Sequence, residues 1–108
     1  MLGTFEIREY VENGRSPYAE WFGGLEKATA ARVGTYIRRL AAGNFGAAKA
    51  LQEGVFEVRM DFGPGYRVYY GREGRTIIIL LGGGSKRRQD ADIAAAVQRW
   101  RRFKQTVA

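Results

Sequence analysis

The fold is decided by residues 54–84, which read GVFEVRMDFGPGYRVYYGREGRTIIILLGGG. Three runs rich in apolar, aromatic and β-branched residues lie in this stretch, separated by glycine-containing turns at residues 62–65 and 71–74. Such runs between turn residues predict three strands joined by two hairpins. Arginines lie inside the first two strands, and arginine repeated on one face of a basic sheet is typical of phosphate binding.

Period-two alternation divides the side chains of the first two strands, residues 55–61 and 66–71, between the two faces of the sheet. One face carries Val55, Glu57, Arg59, Asp61, Arg67 and Tyr69. The other face carries Phe56, Val58, Met60, Tyr66, Val68 and Tyr70. We therefore expect the second set to form the core and the polar members of the first set to line an open groove.

The third strand, residues 76–81, is apolar throughout, which predicts a central strand covered on both faces. Before this hairpin region, residues 4–10 alternate as a strand, and Ser16-Pro17 begins a helix because serine caps and proline suits the first helical position. Gly23-Gly24 is expected to separate this helix from a second one that ends near Ala42. Residues 43–54 have no clear period and are predicted to form a loop.

A last helix is predicted over residues 89–104, with Ile93, Val97 and Trp100 inward and Phe103 beside them. We expect its cations to face away from the sheet; these are Arg99, Arg101, Arg102 and Lys104. The predicted order is β-α-α-β-β-β-α. It indicates a single α+β domain over residues 1–108, with one layer of helices on a mostly antiparallel sheet.

The composition narrows the possible chemistry. The chain of 108 residues has no cysteine and no histidine, and its net charge is +7. Disulfides, thiolate chemistry and histidine-based catalysis are therefore excluded, and a cytoplasmic location fits best. We expect no metal or cofactor and no membrane insertion. Residues 86–108 hold seven basic groups against two acidic ones, which indicates a polyanion or an acidic protein as partner.

Four side chains on the polar face, joined by Lys86 after the last strand, could act on a phosphodiester. Arg59 and Arg67 can hold phosphate oxygens and stabilise negative charge, but guanidinium groups do not transfer protons at useful pH. Glu57 or Lys86 is the candidate base, and Tyr69 is a weaker one. The structural alternative pairs Glu57 with Arg59 or Arg67 as a cross-strand salt bridge.

The chain resembles the RelE/ParE toxin superfamily of bacterial toxin–antitoxin modules, and within it the HigB-like, phage-derived Gp49-like group. The resemblance spans nearly the whole chain and lies in GNFG (residues 43–46), Lys49, EGVFEVR (53–59), GPGYRVYY (63–70), the apolar strand (77–81), GGGSK (82–86), Gln89 and Asp92-Ile93. It implies a RelE-like fold with an N-terminal helical hairpin and a C-terminal helix. It also implies a metal-independent, ribosome-dependent endoribonuclease that cuts mRNA.

By this resemblance Arg67, Arg59 and Lys86 correspond to catalytic positions, and strand alternation adds Glu57 and Tyr69 on the same face as catalytic candidates. Arg87 is a near substitute for Lys86, and we expect RNA contacts from Arg87, Arg88 and Lys49. Two positions depart from the family pattern. Glu57 stands where many members carry lysine, and Ile93 lies near the place of a C-terminal tyrosine used by some members.

The resemblance implies three kinds of partner: a cognate antitoxin, typically a helix-turn-helix protein; the ribosome with its mRNA; and a higher-order toxin–antitoxin assembly. Two other functions remain open at this point. One is a ParE-like toxin that poisons DNA gyrase without cutting RNA. The other is a degenerate toxin that serves only as an antitoxin-binding module.

Overall fold

A computed structural model describes residues 4–107 and contains three α-helices and one five-stranded mixed sheet. The elements are β1 (Glu6–Glu9), α1 (Pro17–Gly23), α2 (Lys27–Ala41), β2 (Ala48–Ala50), β3 (Val55–Arg59), β4 (Arg67–Glu73), β5 (Ile77–Gly84), a 3₁₀ turn (Lys86–Arg88) and α3 (Gln89–Val107). The α+β class, the helical hairpin and the C-terminal helix are confirmed, and the architecture is consistent with a RelE-like fold.

The strands lie in the order β1-β5-β4-β3-β2. β1 runs parallel to β5, whereas the other neighbouring pairs are antiparallel. β5 therefore has a strand on each side, and its apolar residues are buried on both faces of the sheet. The prediction of a central strand covered on both faces is confirmed.

The predicted single layer of helices is wrong, because helices cover both faces of the sheet. One core lies between the sheet and α1–α2 and contains Tyr18, Val33 and Leu40 from the helices. A second core lies between the sheet and α3 and contains Val97 and Trp100. The second core exists because β3, β4 and β5 also present apolar residues on the face that carries the charges; these are Val55, Tyr69, Ile79 and Leu81.

The start of α1 is as predicted. The Oγ atom of Ser16 accepts a hydrogen bond from the Ala19 N–H at 3.0 Å, and Pro17 occupies the first turn. This contact satisfies one of the backbone donors that a helix leaves free at its N-terminus. The helix ends at Gly23, so the separation of α1 from α2 at Gly23-Gly24 is confirmed.

The predicted loop over residues 43–54 contains a strand that the prediction missed. Within it, β2 pairs antiparallel with β3, and Lys49 lies opposite Glu57. The sequence Ala48-Lys49-Ala50 has little strand preference of its own, so pairing with β3 determines its conformation. This short strand ends the sheet on the side away from β1.

Trp100 fixes α3 to the sheet at two glycines. A Cβ atom added at Gly71 of β4 would lie 2.5 Å from the Trp100 ring, and one added at Gly54 would lie 3.0 Å from its Nε1 atom. The indole therefore occupies the space that a side chain at Gly71 would need. A missing side chain in β4 is thus a requirement for the packing of α3.

We expect Gly71→Ala to destabilise the protein by about 1–3 kcal/mol, because the added methyl displaces a buried indole. Thermal unfolding should show a fall in Tm of roughly 4–8 °C per kcal/mol for a domain of this size. Gly23→Ala is the matched control, since a Cβ there meets no atom within 4 Å. Equal Tm values for the two variants would contradict this account of α3 packing.

Candidate functional site

The charged residues of β3 and β4 share one face of the sheet, as alternation predicted. Arg59 lies directly opposite Arg67, and Glu57 lies opposite Tyr69 on one side and Lys49 on the other. Residues directly opposite each other in antiparallel strands point to the same face. This face is the one on which α3 packs. Two arginines are thus cross-strand neighbours, an arrangement that is destabilising without a counter-charge.

The predicted open groove is wrong for three of these side chains. Glu57 is 3% exposed, Arg67 is 4% exposed and Tyr69 is 1% exposed. They are buried because the beginning of α3 covers them: the Nε2 atom of Gln89 donates a hydrogen bond to Oε2 of Glu57 at 2.9 Å. A substrate can therefore contact only the edge of the group formed by Glu57, Arg67 and Tyr69 and not an open groove.

Arg67 is held from two sides. Its Nη1 atom donates a hydrogen bond to the Gly65 carbonyl at 2.7 Å, and its Nε atom lies 3.5 Å from Oε2 of Glu57. The Nε atom is buried without a hydrogen-bond partner, so the contact with Glu57 is an ion pair rather than a hydrogen bond. Of the two salt bridges considered from the sequence, the structure forms the one between Glu57 and Arg67.

Tyr69 is poorly suited to act as a base. Burial, and then the negative charges of Glu57 and Asp92, raise the pKa of its phenol above the usual value. Although Glu57 is close enough to act on that pKa, the Tyr69 hydroxyl meets no partner within hydrogen-bonding geometry. The phenol stays protonated at neutral pH and remains in the second core.

The exposed cations lie around the edge of this buried group. Arg59, Lys86 and Lys49 are exposed, as are Arg87 and Arg88 on the 3₁₀ turn. Lys86 lies near the buried Arg67, since both residues are close to Gly65. A Cβ atom added at Gly65 would lie 3.4 Å from Lys86 Cβ and 3.1 Å from Arg67 Nη1. We call Arg59, Arg67 and Lys86 the cation cluster. It brings together the three basic residues that the sequence singled out.

The first half of α3 contributes residues that the sequence prediction missed. Gln89 binds Glu57, and Asp92 packs against Gly84 of β5 so closely that a side chain there would collide with it. Arg99 does not face away as predicted, since its Nη1 atom donates a hydrogen bond to the Leu81 carbonyl at 3.0 Å. The signal was available for Gln89, because extending the inward stripe back by one turn from Ile93 reaches it.

Arg101 and Arg102, near the end of α3, already have carboxylate partners. Arg101 binds Glu53 through a hydrogen bond from Nε of 2.8 Å, and Arg102 lies 3.1 Å from Glu12. Within residues 4–107, no ion pair within 4.0 Å joins Arg59 or Lys86 to a carboxylate. The charge available to an incoming anion is therefore concentrated at the start of α3 rather than along the helix.

Comparison with known proteins assigns the chain to a family. The model of the phage-derived protein Gp49-like family matches residues 20–101, which include the whole cation cluster. The chain belongs to the Gp49-like family. This family lies within the RelE/HigB-like toxin group, so at the family level the protein is a toxin of a toxin–antitoxin system with a cognate antitoxin as partner.

The chain also has a relative of similar length. The Gp49-like chain is 42% identical over 80 residues to an uncharacterised protein of Haemophilus influenzae, covering 73% of this chain and 81% of the relative.

Within residues 4–107, no helix combines the length and the apolar character that crossing a membrane requires.

The buried ion pair gives a stability prediction for the Gp49-like protein. We expect Arg67→Ala to destabilise it by about 3–5 kcal/mol, because Glu57 would remain as a buried charge without its cation. Urea denaturation measures this difference. The double variant Glu57→Gln with Arg67→Met should recover most of the loss, and the exposed Arg59→Ala should change stability by about 0.5 kcal/mol or less. A small effect of Arg67→Ala would show that the pair is solvated.

Asp92 gives a prediction about pH. Burial raises the pKa of its carboxyl, while Arg88 and Arg99 act in the opposite direction. The folded state thus favours the protonated form of the Asp92 carboxyl. The resulting contribution to the free energy of unfolding is fully present below the unfolded pKa and is lost as pH rises through the folded pKa. We expect Asp92→Asn to raise Tm at neutral pH, with the difference vanishing below the ordinary pKa of 3.8.

Asp90→Asn is the matched control for this experiment. Asp90 is exposed in the same first turn of α3, where its charge is favoured by the helix dipole. Its removal should therefore lower Tm slightly at neutral pH, opposite in sign to the effect at Asp92. Thermal unfolding of both variants between acid and neutral pH checks the pair, and a loss of stability in Asp92→Asn at neutral pH would contradict the interpretation.

Proposed function

We propose that the protein is the toxin of a type II toxin–antitoxin module and acts in the cytoplasm as a metal-independent endoribonuclease on ribosome-bound mRNA. The observation that carries the proposal is the cation cluster: Arg59 opposes Arg67 across two strands, and Lys86 joins them at Gly65. Like charges held this close favour binding of an anion between them. A phosphodiester supplies such an anion.

The three cations have different parts in this proposal because their exposure differs. Arg59 and Lys86 are exposed and contact the phosphate directly. Arg67 is fixed below them by Gly65 and Glu57, so it adds its charge from a position that does not need to reorganise during the reaction. Glu57 and Gln89 are then positioning residues for Arg67 rather than the groups that transfer protons.

Lys86 is the exposed member of the cation cluster that can exchange a proton, since guanidinium groups stay protonated. The chain has no histidine to form a conventional acid–base pair with it. We therefore propose that the 2′-oxygen, oriented by the ribosome, attacks phosphorus as the bond to the 5′-oxygen breaks, and that its proton passes to solvent. Lys86 donates a proton to the leaving 5′-oxygen, while Arg59 and Arg67 stabilise the developing charge. Lys49, Arg87 and Arg88 flank the cluster as contacts for neighbouring RNA phosphates.

The proposal predicts a large loss of mRNA cleavage in Arg59→Ala and Lys86→Ala. Each should lower cleavage by about 100-fold to 1000-fold, as for loss of one preorganised donor to a developing charge. Primer extension on cellular mRNA after induction measures the breaks. Both residues are exposed, so their Tm should stay close to that of the unaltered protein.

Arg75→Ala is the control for this experiment, because it removes an exposed cation from the β4–β5 turn at the far end of the strands. It should leave cleavage unchanged. Growth arrest without codon-linked breaks, accompanied by altered DNA supercoiling, would favour the gyrase poison. Absence of any growth phenotype would favour the degenerate antitoxin-binding module.

A further inference from the structure

A cleft of about 570 Å³ opens where β3 ends, beside the exposed Arg59 of the cation cluster. Its lining comes from α2, from the segment before β2 and from the end of β3; the members are Tyr36, Arg39, Gly46, Ala47, Arg59 and Asp61. A cavity of about 180 Å³ shares Tyr36 and Arg39 with this cleft and adds Asn44. Clefts of about 300–1,000 Å³ hold small organic ligands, so there is room for one nucleotide.

The cleft presents a cation and a carboxylate that do not pair with each other. Arg39 and Asp61 are both exposed, and both line the cleft. In the part of the chain that the structure describes, residues 4–107, no ion pair within 4.0 Å includes either side chain. A ligand with donors on one edge and acceptors on another can therefore bind both charges at once.

The Tyr36 ring gives the same cleft a flat surface. Its centre lies 6.2 Å from the centre of the Phe62 ring, with 31° between the ring planes, and the Arg32 guanidinium lies 4.0 Å over Phe62. This stack fixes the position of the tyrosine ring. The Arg39 guanidinium lies 5.3 Å from the centre of the Tyr36 ring. Aromatic rings and guanidinium planes are the surfaces on which unpaired RNA bases stack.

We propose that the cleft binds the guanine base of the nucleotide beside the scissile phosphate, so that the protein cuts mRNA next to guanosine. Guanine has two adjacent donors, N1–H and the N2 amino group, and two adjacent acceptors, O6 and N7. The Asp61 carboxylate accepts from the two donors, and the Arg39 guanidinium donates to the two acceptors. The inference rests on the proposed function in taking RNA as the ligand.

The other bases match this pair of charges less well. Adenine has an unprotonated ring nitrogen where guanine has N1–H, so the Asp61 carboxylate would meet a lone pair. Cytosine and uracil each offer one donor group instead of two adjacent ones, and their single ring covers less of Tyr36. Discrimination of this kind comes from polar groups that the wrong ligand leaves without a partner.

The cleft also explains the position of the GNFG segment, residues 43–46. The Oδ1 atom of Asn44 accepts a hydrogen bond from the Gly46 N–H at 3.0 Å, and the Asn44 N–H donates to the Arg39 carbonyl at 2.9 Å. These two bonds tie the segment to the end of α2. They hold Gly46 as one wall of the cleft, opposite in the chain to the Arg59 and Asp61 side.

NMR titration of the full chain with free nucleotides tests the inference in the absence of the ribosome. The probes are guanosine 3′-monophosphate and guanosine 5′-monophosphate, and the two adenosine monophosphates are the controls. At least one guanosine nucleotide should bind about tenfold more tightly than its adenosine counterpart, with the largest shifts at Tyr36, Gly46 and Asp61. Equal affinities for the two bases, or shifts confined to the 3₁₀ turn, would overturn the proposal.

Substitution of Asp61 tests the reading of the base. Asp61→Asn should bring the guanosine and adenosine affinities close together, because an amide cannot accept from both guanine donors. A carboxylate that acted only through its charge would instead repel both nucleotides equally. An unchanged ratio of the two affinities in Asp61→Asn would therefore overturn the proposal.

Two further substitutions test the other contacts. Arg39→Ala should weaken guanosine binding about tenfold. Arg38→Ala is its matched control, since Arg38 is exposed at the next position and its Nη2 atom donates to Thr35 Oγ1 at 3.0 Å. Tyr36→Leu should weaken binding of every nucleotide, whereas Tyr36→Phe should keep it. The exposed positions keep the test decisive if Tyr36→Leu does not fold.

The pattern of mRNA breaks separates this inference from the proposed function. Primer extension should find guanosine at one fixed position beside the breaks, and Asp61→Asn should remove that preference while cleavage continues. Breaks without a guanosine preference would overturn the inference and leave the proposed function intact. Guanosine-selective binding in a protein that makes no breaks would support the guanine site and count against the nuclease.

Discussion

The structure depends on β5, because this strand holds together both the sheet and its two helical layers. It pairs with β1 on one side and with β4 on the other, and its residues enter both cores. Ile78 and Leu80 pack toward α1 and α2, whereas Ile79 and Leu81 pack toward α3. A strand covered on both faces must be apolar throughout. β5 meets this requirement from Ile77 to Leu81 and ends in three glycines.

Those glycines allow close approach of the neighbouring elements. Trp21 of α1 occupies the side-chain space at Gly83, and Asp92 of α3 occupies it at Gly84. Both helical layers therefore place a side chain directly against the sheet where β5 leads into the 3₁₀ turn. This approach places Lys86 beside Arg67 and closes Gln89 over Glu57, so the position of the cation cluster follows from small residues in β5.

Much of the arrangement could be predicted from alternation, but the burial of the charged face could not. The pattern in β3 and β4 correctly placed Glu57, Arg59, Arg67 and Tyr69 together. It could not show that α3 crosses this face, because the apolar stripe of α3 fits either face of the sheet equally well.

β2 was missed for a different reason. Its alanines carry no periodic signal, and its conformation comes from backbone pairing with β3. Gln89 lies on the inward stripe of α3, one turn before Ile93, but a glutamine at a helix start usually faces water. Its partner, the buried carboxylate of Glu57, is distant in sequence, so the pattern did not single Gln89 out. Both cases concern partners distant in sequence, which local patterns do not contain.

The parallel pairing of the first and last strands has a consequence for when the protein can act. β1 is synthesised first, yet it has no strand partner until β5 follows, since Glu6 pairs with Ile77. α3 follows β5 in the chain, so the second core needs residues that are synthesised after β5. A chain synthesised only as far as the end of β5 therefore lacks both its second core and the cluster formed at Lys86. The order of synthesis thus delays the site that we propose acts on RNA until the elements around it are present.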